Sequence, residues 1–321
     1  MKNIYLNIFS FNKNTLNKTI KCLKKNNIVG LPTETVYGLA GNAYSKIATK
    51  KIFKIKNRPK INPLIVHYLN INNAKKDVVL NKSFLKLYKK FCPGPLTFIL
   101  KKKLNSKIRS EVTAKLDTVA IRFPNHKVIR SILKKIDFPL AIPSANISSG
   151  ISPVTAKDVS EEFNKKIKII IDGGKAKIGI ESTVIDLSKK FKILRPGVIS
   201  PKEISLILKK KITLINKNIS IKSPGSLKKH YSPGLPMKIN QNKPFGKHAF
   251  ITFGSKFNNF EHSFNLSKKS SLKEAASNLY SIFRKIKKLN YKKIYVIKIP
   301  NRNIGIAIND RLDHAKNIKW N

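Results

Sequence analysis

Sulfur chemistry has almost nothing to work with in this chain. Two cysteines, Cys22 and Cys92, occur in 321 residues, and they form neither a CxxC pair nor a metal-ligand spacing. That argues against a disulfide framework and a zinc module, and it fits a reducing compartment. No apolar run approaches the roughly 20 residues that a bilayer-spanning helix needs. Met1 to Ser10 mixes Lys and Asn with apolar residues and lacks the apolar core and small-residue cleavage site of a secretory leader. A cytoplasmic location without membrane attachment is therefore expected. Six histidines are scattered with no HExxH among them, and no GxGxxG follows a strand. Gly174 and Gly179 have the glycine spacing of a phosphate loop, but Ile180-Glu181 follow where Lys-Ser/Thr belongs. Generic rules leave any nucleotide unassigned.

Acids are scarce too. Asp and Glu number 16 against 66 Lys and Arg, a formal charge of +50. Only eight of the basic residues are arginine, at 58, 109, 122, 130, 195, 284, 302 and 311. Lys, Asn and Ile share AT-rich codons, so the charge reads mainly as genomic composition spread over a solvated surface. Attraction to tRNA is expected to be weak and salt-sensitive. Against that lysine background, an arginine signals a need for the planar fork that grips carboxylate or phosphate through two bonds. Arg58, Arg122 and Arg195 each sit in a Pro- or Gly-marked segment, as do the rare acids Glu34, Asp172 and Glu181.

With 41% apolar residues, the chain can build real cores, and its length is comfortable for two domains. Leu16, Ile20 and Leu23 recur at helical spacing before a buried strand at 28–31. Ser45 can cap a helix carrying Ile47, Ile52 and Ile55. Short apolar runs follow at 63–67, 96–100, 119–123, 140–142, 167–171, 183–187 and 191–194. Helical segments fit between them at 81–90, 126–136 and 155–163. The alternation predicts a mixed α/β domain over residues 1–210. Two Ser-Pro-Gly turns mark a connector at 211–236. A smaller α/β unit is expected over 237–321, with strands at 249–253 and 294–299 around a helix striped by Leu272, Ala276, Leu279, Phe283 and Ile286.

Polar clusters fall at the strand ends. They are Pro32–Gly38, Lys56–Pro59 with Asn62 and His67, Pro143–Ser148, Asp172–Gly174, Glu181–Thr183 and Arg195–Gly197. Hydroxyls, amides and glycines after a strand suit a ligand-facing turn. Taken singly, each also suits an ordinary connection or an Asx-turn, and His67 also suits a satisfied core histidine.

Taken in order, the segments resemble the YrdC/YwlC family of threonylcarbamoyl-AMP synthases. The matching pieces are PTETVYGL at 32–39, KNRP at 56–59, NPLIVH at 62–67, CPGPLT at 92–97 and VAIRFP at 119–124. They continue with PSANISSG at 143–150, DGG at 172–174, ESTV at 181–184 and RPG at 195–197. HYSP at 230–233 and AINDRL at 307–312 resemble the family's long form. The resemblance implies a twisted mixed sheet with helices and a basic cavity, plus a Rossmann-like C-terminal domain. It implies condensation of L-threonine, bicarbonate and ATP, with Mg2+ on the phosphates, into threonylcarbamoyl-adenylate and pyrophosphate. A separate transferase complex would then modify tRNA. By the same resemblance Thr35, His67, Arg122, Ser144 and Ser182 hold threonine. Lys56, Arg58, Asn62, Thr118, Asn146, Val154, Arg195 and Tyr231 hold ATP, Lys56 and Arg58 acting on the phosphates as the catalytic pair. No metal site built by the protein is implied.

Three positions depart from the family pattern. Cys92 stands where Trp usually precedes PGP, and Asn57 replaces the Gly of KGRP. Val154 stands where a Thr commonly contacts the nucleotide, so the contact would pass to the backbone or to Thr155. Residues 213–236 are expected to cover the ATP site. The competing expectation, from the charge alone, is a non-catalytic protein that binds tRNA or double-stranded RNA.

Overall fold

The computed structural model describes residues 5–163, 166–189, 191–215, 230–257 and 259–316. Its first part runs β1 (Ile8–Ser10), α1 (Lys13–Lys24), β2 (Val29–Leu31), β3 (Gly38–Asn42), α2 (Lys46–Lys56), β4 (Ile65–His67), α3 (Ile71–Ala74) and α4 (Lys82–Phe91). Then come β5 (Leu96–Lys101), β6 (Thr118–Arg122), α5 (Lys127–Leu133), β7 (Leu140–Ala141), α6 (Ala156–Phe163), β8 (Ile170–Asp172), β9 (Thr183–Asp186), β10 (Lys192–Arg195), α7 (Pro201–Leu208) and β11 (Thr213–Leu214). Its last part holds β12 (Met237–Gln241), β13 (Ala249–Thr252), β14 (Ser263–Asn265), α8 (Leu272–Lys288), β15 (Ile294–Ile297) and α9 (Ile304–Ala315).

Among the described residues the first eleven strands form one mixed sheet, ordered β1-β8-β2-β3-β7-β4-β6-β5-β9-β10-β11. β11 lies inside the span read as connector and pairs parallel with β10. The remaining four strands make a second sheet, ordered β12-β15-β13-β14, parallel throughout.

Local chemistry sets the ends that matter. The Ser45 side chain accepts from the Ala48 amide and starts α2. Asn57 ends it at φ 47°, in the left-handed region. Gly and Asn are the residues that tolerate that conformation at a helix C-terminus, which accounts for Asn in place of the family's Gly. Pro32–Gly38 does not lead into a helix. It turns straight back into β3, which pairs antiparallel with β2.

The central strands separate core from cavity by alternation. Val66, Phe98, Leu100 and Ile121 face an apolar core shared with Phe84 and Leu87 of α4 and Ile204 and Leu208 of α7. Ile65, Ile99, Ala120 and Val184 form a smaller cluster on the opposite face, and this is the floor beneath the polar groups. On that face His67 and Arg122 are register partners, and so are Thr97 and Arg122.

The second unit docks through a dry seam. Val36, Ile151, Val154, Ala176 and Ile180 share one apolar cluster with Leu279, Phe283 and Ile308 of α8 and α9. Gly179 is the tightest point. It has φ +80°, and a Cβ there would lie 2.5 Å from Ser277 Cα and 2.7 Å from Ala276 O. Gly179→Ala is expected to cost about 1–3 kcal/mol from the backbone conformation alone, plus the clash with α8. A thermal melt showing a lowered midpoint supports this seam, and an unchanged midpoint contradicts it.

Candidate active site

A cavity of about 50 Å³ opens above the floor, lined by Thr35, Arg58, His67, Arg122, Ser144, Ser182, Arg195, Glu181 and His230, with the turn Thr33–Gly38 along one wall. At one end stands Arg122. Its Nη1 donates to Thr35 Oγ1 at 2.9 Å, and its Nη2 lies 2.7 Å from Glu34 Oε1. That ion pair is off the N–H direction, so neither Glu34 oxygen receives a hydrogen bond. Thr33 Oγ1 lies 2.9 Å from Thr35 Oγ1 and donates to Val36 O at 2.6 Å, which holds the turn. The His67 Nδ1–H donates to Ile65 O at 3.3 Å. Burial, then the neighbouring Arg122 charge, holds His67 well below its ordinary pKa, so it stands in the cavity as a neutral imidazole.

The other end is cationic and holds only neutral oxygens. Arg58 donates from Nε to Asn62 O at 3.0 Å, and from Nη2 to Asn62 Oδ1 at 2.6 Å and Pro63 O at 2.8 Å. Burial, then Arg195, pushes the Arg58 guanidinium down to about 9, still charged at neutral pH. Lys56 Nζ donates to Ser144 O at 2.6 Å and to Asn146 O. Burial and then Arg58 lower its pKa. The Ser144 hydroxyl donates to Asn146 Oδ1 at 2.6 Å. Arg195 grips Ser182 twice, Nε to O at 3.0 Å and Nη2 to Oγ at 3.1 Å, while Ser182 Oγ lies 2.8 Å from Thr97 Oγ1. No carboxylate is paired with Lys56, Arg58 or Arg195 among the described residues.

Among the described residues Glu181 is the one acid lining the cavity, and it is already committed. It accepts from Ser152 Oγ at 2.5 Å, Tyr280 OH at 2.9 Å and Arg311 Nε at 3.0 Å. Burial alone would raise its carboxyl, but Arg311 and then Arg195 hold it down to about 2. Beside it the chain re-enters at His230 and Tyr231. His230 lines the cavity, and its Nδ1 has no partner. Burial, reinforced by Arg58, Arg195 and Lys56 against Glu181, holds it down to about 3.

Seven of the expected site residues therefore meet in one place: Thr35, Arg58, His67, Arg122, Ser144, Ser182 and Arg195. Lys56, Asn62 and Asn146 stand directly behind them, bonded to lining groups. Three others are placed differently. Thr118 keeps the cavity face of β6, but it pairs with Lys101 at the far end, about 13 Å along the strand from Arg122. Val154 is fully buried in the domain seam. Its N–H donates to Asp158 Oδ2 at 2.9 Å and its C=O accepts from the Ala176 N–H at 2.8 Å, so the backbone route is occupied. The Thr155 hydroxyl accepts from the Asp158 N–H. Tyr231 turns toward the second domain, with its ring 5.1 Å from the Arg311 guanidinium and its OH unpartnered. Of the expected cover, residues 216–229 lie outside the described residues. Cys92 lies on the rim of the main core, and burial pushes its thiol up to about 12, which makes it an inert packing residue. Sequence reasoning did not assign Glu181, Arg284 or Arg311. The signal available was the rarity of Arg and of acids.

Because the Glu181 carboxyl is depressed below its ordinary 4.5, it contributes stability that is fully present above that value. The contribution is lost as pH falls from about 4.5 toward 2. Urea unfolding across this range should show a steep loss of stability in the parent chain and a shallower one in Glu181→Gln. Equal slopes would contradict the linkage.

Comparison with known proteins agrees with this geometry. A family profile described as "Telomere recombination" matches residues 21–197, and one described as "Threonylcarbamoyl-AMP synthase, C-terminal domain" matches 199–316. The threonylcarbamoyl-AMP synthase of Pyrococcus abyssi is 33% identical over 318 residues, 91% of each chain. That of Bacillus subtilis is 33% identical over 316 residues, 91% of this chain and 90% of its own. The crystal structure of P. abyssi Sua5 complexed with L-threonine superposes with a TM-score of 0.89 at 30% identity, over 96% of this chain and 97% of that one. The chain belongs to the threonylcarbamoyl-AMP synthase family, in its long form with the C-terminal domain.

Proposed function

We propose that this chain condenses L-threonine, bicarbonate and ATP into threonylcarbamoyl-adenylate and pyrophosphate, the activated precursor of tRNA threonylcarbamoyladenosine. The observation that carries the reading is the division of one buried cavity into two anion-binding ends. Arg122, with Thr35, His67, Ser144 and Ser182 around it, suits an amino acid. Lys56, Arg58 and Arg195, with no acid of their own among the described residues, suit a triphosphate. The relative solved with L-threonine supports the amino-acid end.

In this reading threonine's amine takes up the carbon dioxide that bicarbonate supplies, becoming a carbamate with net loss of water, and a carbamate oxygen attacks the α-phosphorus while pyrophosphate leaves. No protein nucleophile is needed. The protein juxtaposes two anions and stabilises the charge that develops, so catalysis is positioning and electrostatics. His67 is neutral and serves as a hydrogen-bonding group, not as a charge. Asn62 and Asn146 hold the cations in aim, and Thr118 extends the same face toward the rest of the nucleotide. Val154 and Tyr231 contribute through the seam and the cover. Among the described residues no group of three or more His, Cys, Asp and Glu could hold a metal, and Glu34 and Glu181 face arginines. Mg2+ is proposed to enter as part of the Mg·ATP substrate, carried on the phosphates.

The segment through His230 and Tyr231 is proposed to cover the nucleotide and shield a labile anhydride from water. The three-part division of the chain, at about residues 210 and 236, belongs to the same proposal. The product passes to a threonylcarbamoyl transferase complex in the cytoplasm. No helix among the described residues is long and apolar enough to cross a membrane.

Pyrophosphate release should require threonine and bicarbonate together. Arg58→Ala should weaken ATP binding by about 2 kcal/mol in calorimetry and leave threonine binding nearly unchanged. Arg122→Lys should raise the threonine KM by about tenfold, or ~1.4 kcal/mol, because lysine lacks the fork. Pyrophosphate release without threonine, or wild-type threonine kinetics in Arg122→Lys, would contradict the reading.

A further inference from the structure

Arg311 of α9 has the largest side chain among the fully buried residues, and it does not line the cavity. Its guanidinium nevertheless touches the first domain at two residues, Glu181, which lines the cavity, and Pro196, which adjoins one that does. Nε donates to Glu181 Oε2 at 3.0 Å, and Glu181 precedes Ser182. Nη1 donates to Pro196 O at 2.7 Å, and Pro196 follows Arg195. Arg195 itself holds the carbonyl and hydroxyl of Ser182. The contacts close a ring from Arg311 through Glu181, Ser182, Arg195 and Pro196 back to Arg311. Gly197 tightens it, because a Cβ there would lie 2.3 Å from Thr183 N. The same guanidinium carries the Tyr231 ring at 5.1 Å, and the neighbouring His230 N–H donates to His314 O of α9 at 3.4 Å. Asp310 Oδ2, 2.8 Å from Nη1, fixes the fork from the side of the second domain.

We infer that Arg311 is a positioning residue for the nucleotide end of the cavity. It sets the aim of Arg195 and seats the His230–Tyr231 segment, so the C-terminal domain acts on the nucleotide end through this side chain. The inference rests on the reading of Arg195 as a phosphate-binding group. Arg122, Thr35, His67 and Ser144 lie outside the ring, and Ser182 is the one threonine-end group inside it, held by Arg195, so the threonine end should respond less than the nucleotide end. A residue that only held the two domains together would weaken both ligands alike.

The test uses the full chain, with ATP and L-threonine affinities measured separately by calorimetry. Arg311→Lys keeps the charge but loses the fork. It should weaken ATP binding by about tenfold or more and threonine by less than about threefold. In an Arg195→Ala background the same change should add less than about twofold to the ATP loss, because the two residues act in one chain of contacts. Tyr280→Phe removes a single bond to Glu181 and should show the same selectivity at smaller size, which keeps the test open should Arg311→Lys not fold. Unchanged ATP affinity in Arg311→Lys, equal losses for both ligands, or full additivity with Arg195→Ala would overturn the inference. ATP binding unaffected by Arg195→Ala alone would overturn the reading of the site and this inference with it.

Discussion

Lys56, Arg58 and Arg195 are buried close together with no carboxylate of their own among the described residues, and the rest of the molecule is arranged around that constraint. Like charges in a low-dielectric space repel, and each also loses hydration. The chain offsets this with oriented dipoles: the carbonyls of Asn62, Pro63, Ser144, Asn146 and Ser182 all point at cationic nitrogens. Dipoles hold the cations in place without cancelling their charge, so an entering polyanion meets a preformed attractive field. A carboxylate at the same positions would have to be displaced first.

Glu181, the acid that lines the cavity, would defeat this arrangement if it were free to pair inward. Arg311 and Tyr280 hold it from the second domain, and Ser152 holds it from the first. A second arginine repeats the pattern beside Asn146. Arg284 Nη2 donates to Ile151 O at 2.6 Å, and Arg284 pairs with Glu162, whose Oε1 accepts from the Ile147 amide. The C-terminal domain thus braces the cavity from two sides with the same kind of contact, the Arg311 one fully buried and the Arg284 one partly exposed. This gives the small parallel sheet a part in the chemistry although none of its strands reaches the cavity.

Much of this was legible in the residues. Arginine is rare here, and five of the eight stand in the cavity or at the domain junction, as the need for a planar fork implies. The alternation of short apolar runs and helical stripes located the central strands and the helices α2, α4, α6 and α8. What stayed hidden has physical reasons. A turn such as Thr33–Gly38 does not announce whether a helix or a strand follows, since hydroxyls and glycine serve both. Asn57 looked like a departure until its left-handed backbone showed that Asn and Gly meet the same demand. Val154 could be assigned to a ligand or to a core from its motif alone, and packing decides that it faces the seam. The roles of Glu181 and Arg311 depend on contacts across 130 residues of chain, which no local pattern encodes.

The claim on which the rest stands is that the cationic end is strained when empty and relieved by a polyanion. Thermal unfolding of the chain with and without inorganic pyrophosphate tests it directly. Binding to the folded state alone must raise the midpoint. The expected result is a clear rise in the parent chain that is largely lost in Arg195→Ala. An unchanged midpoint in the parent chain, or an equal rise in the variant, would contradict the account.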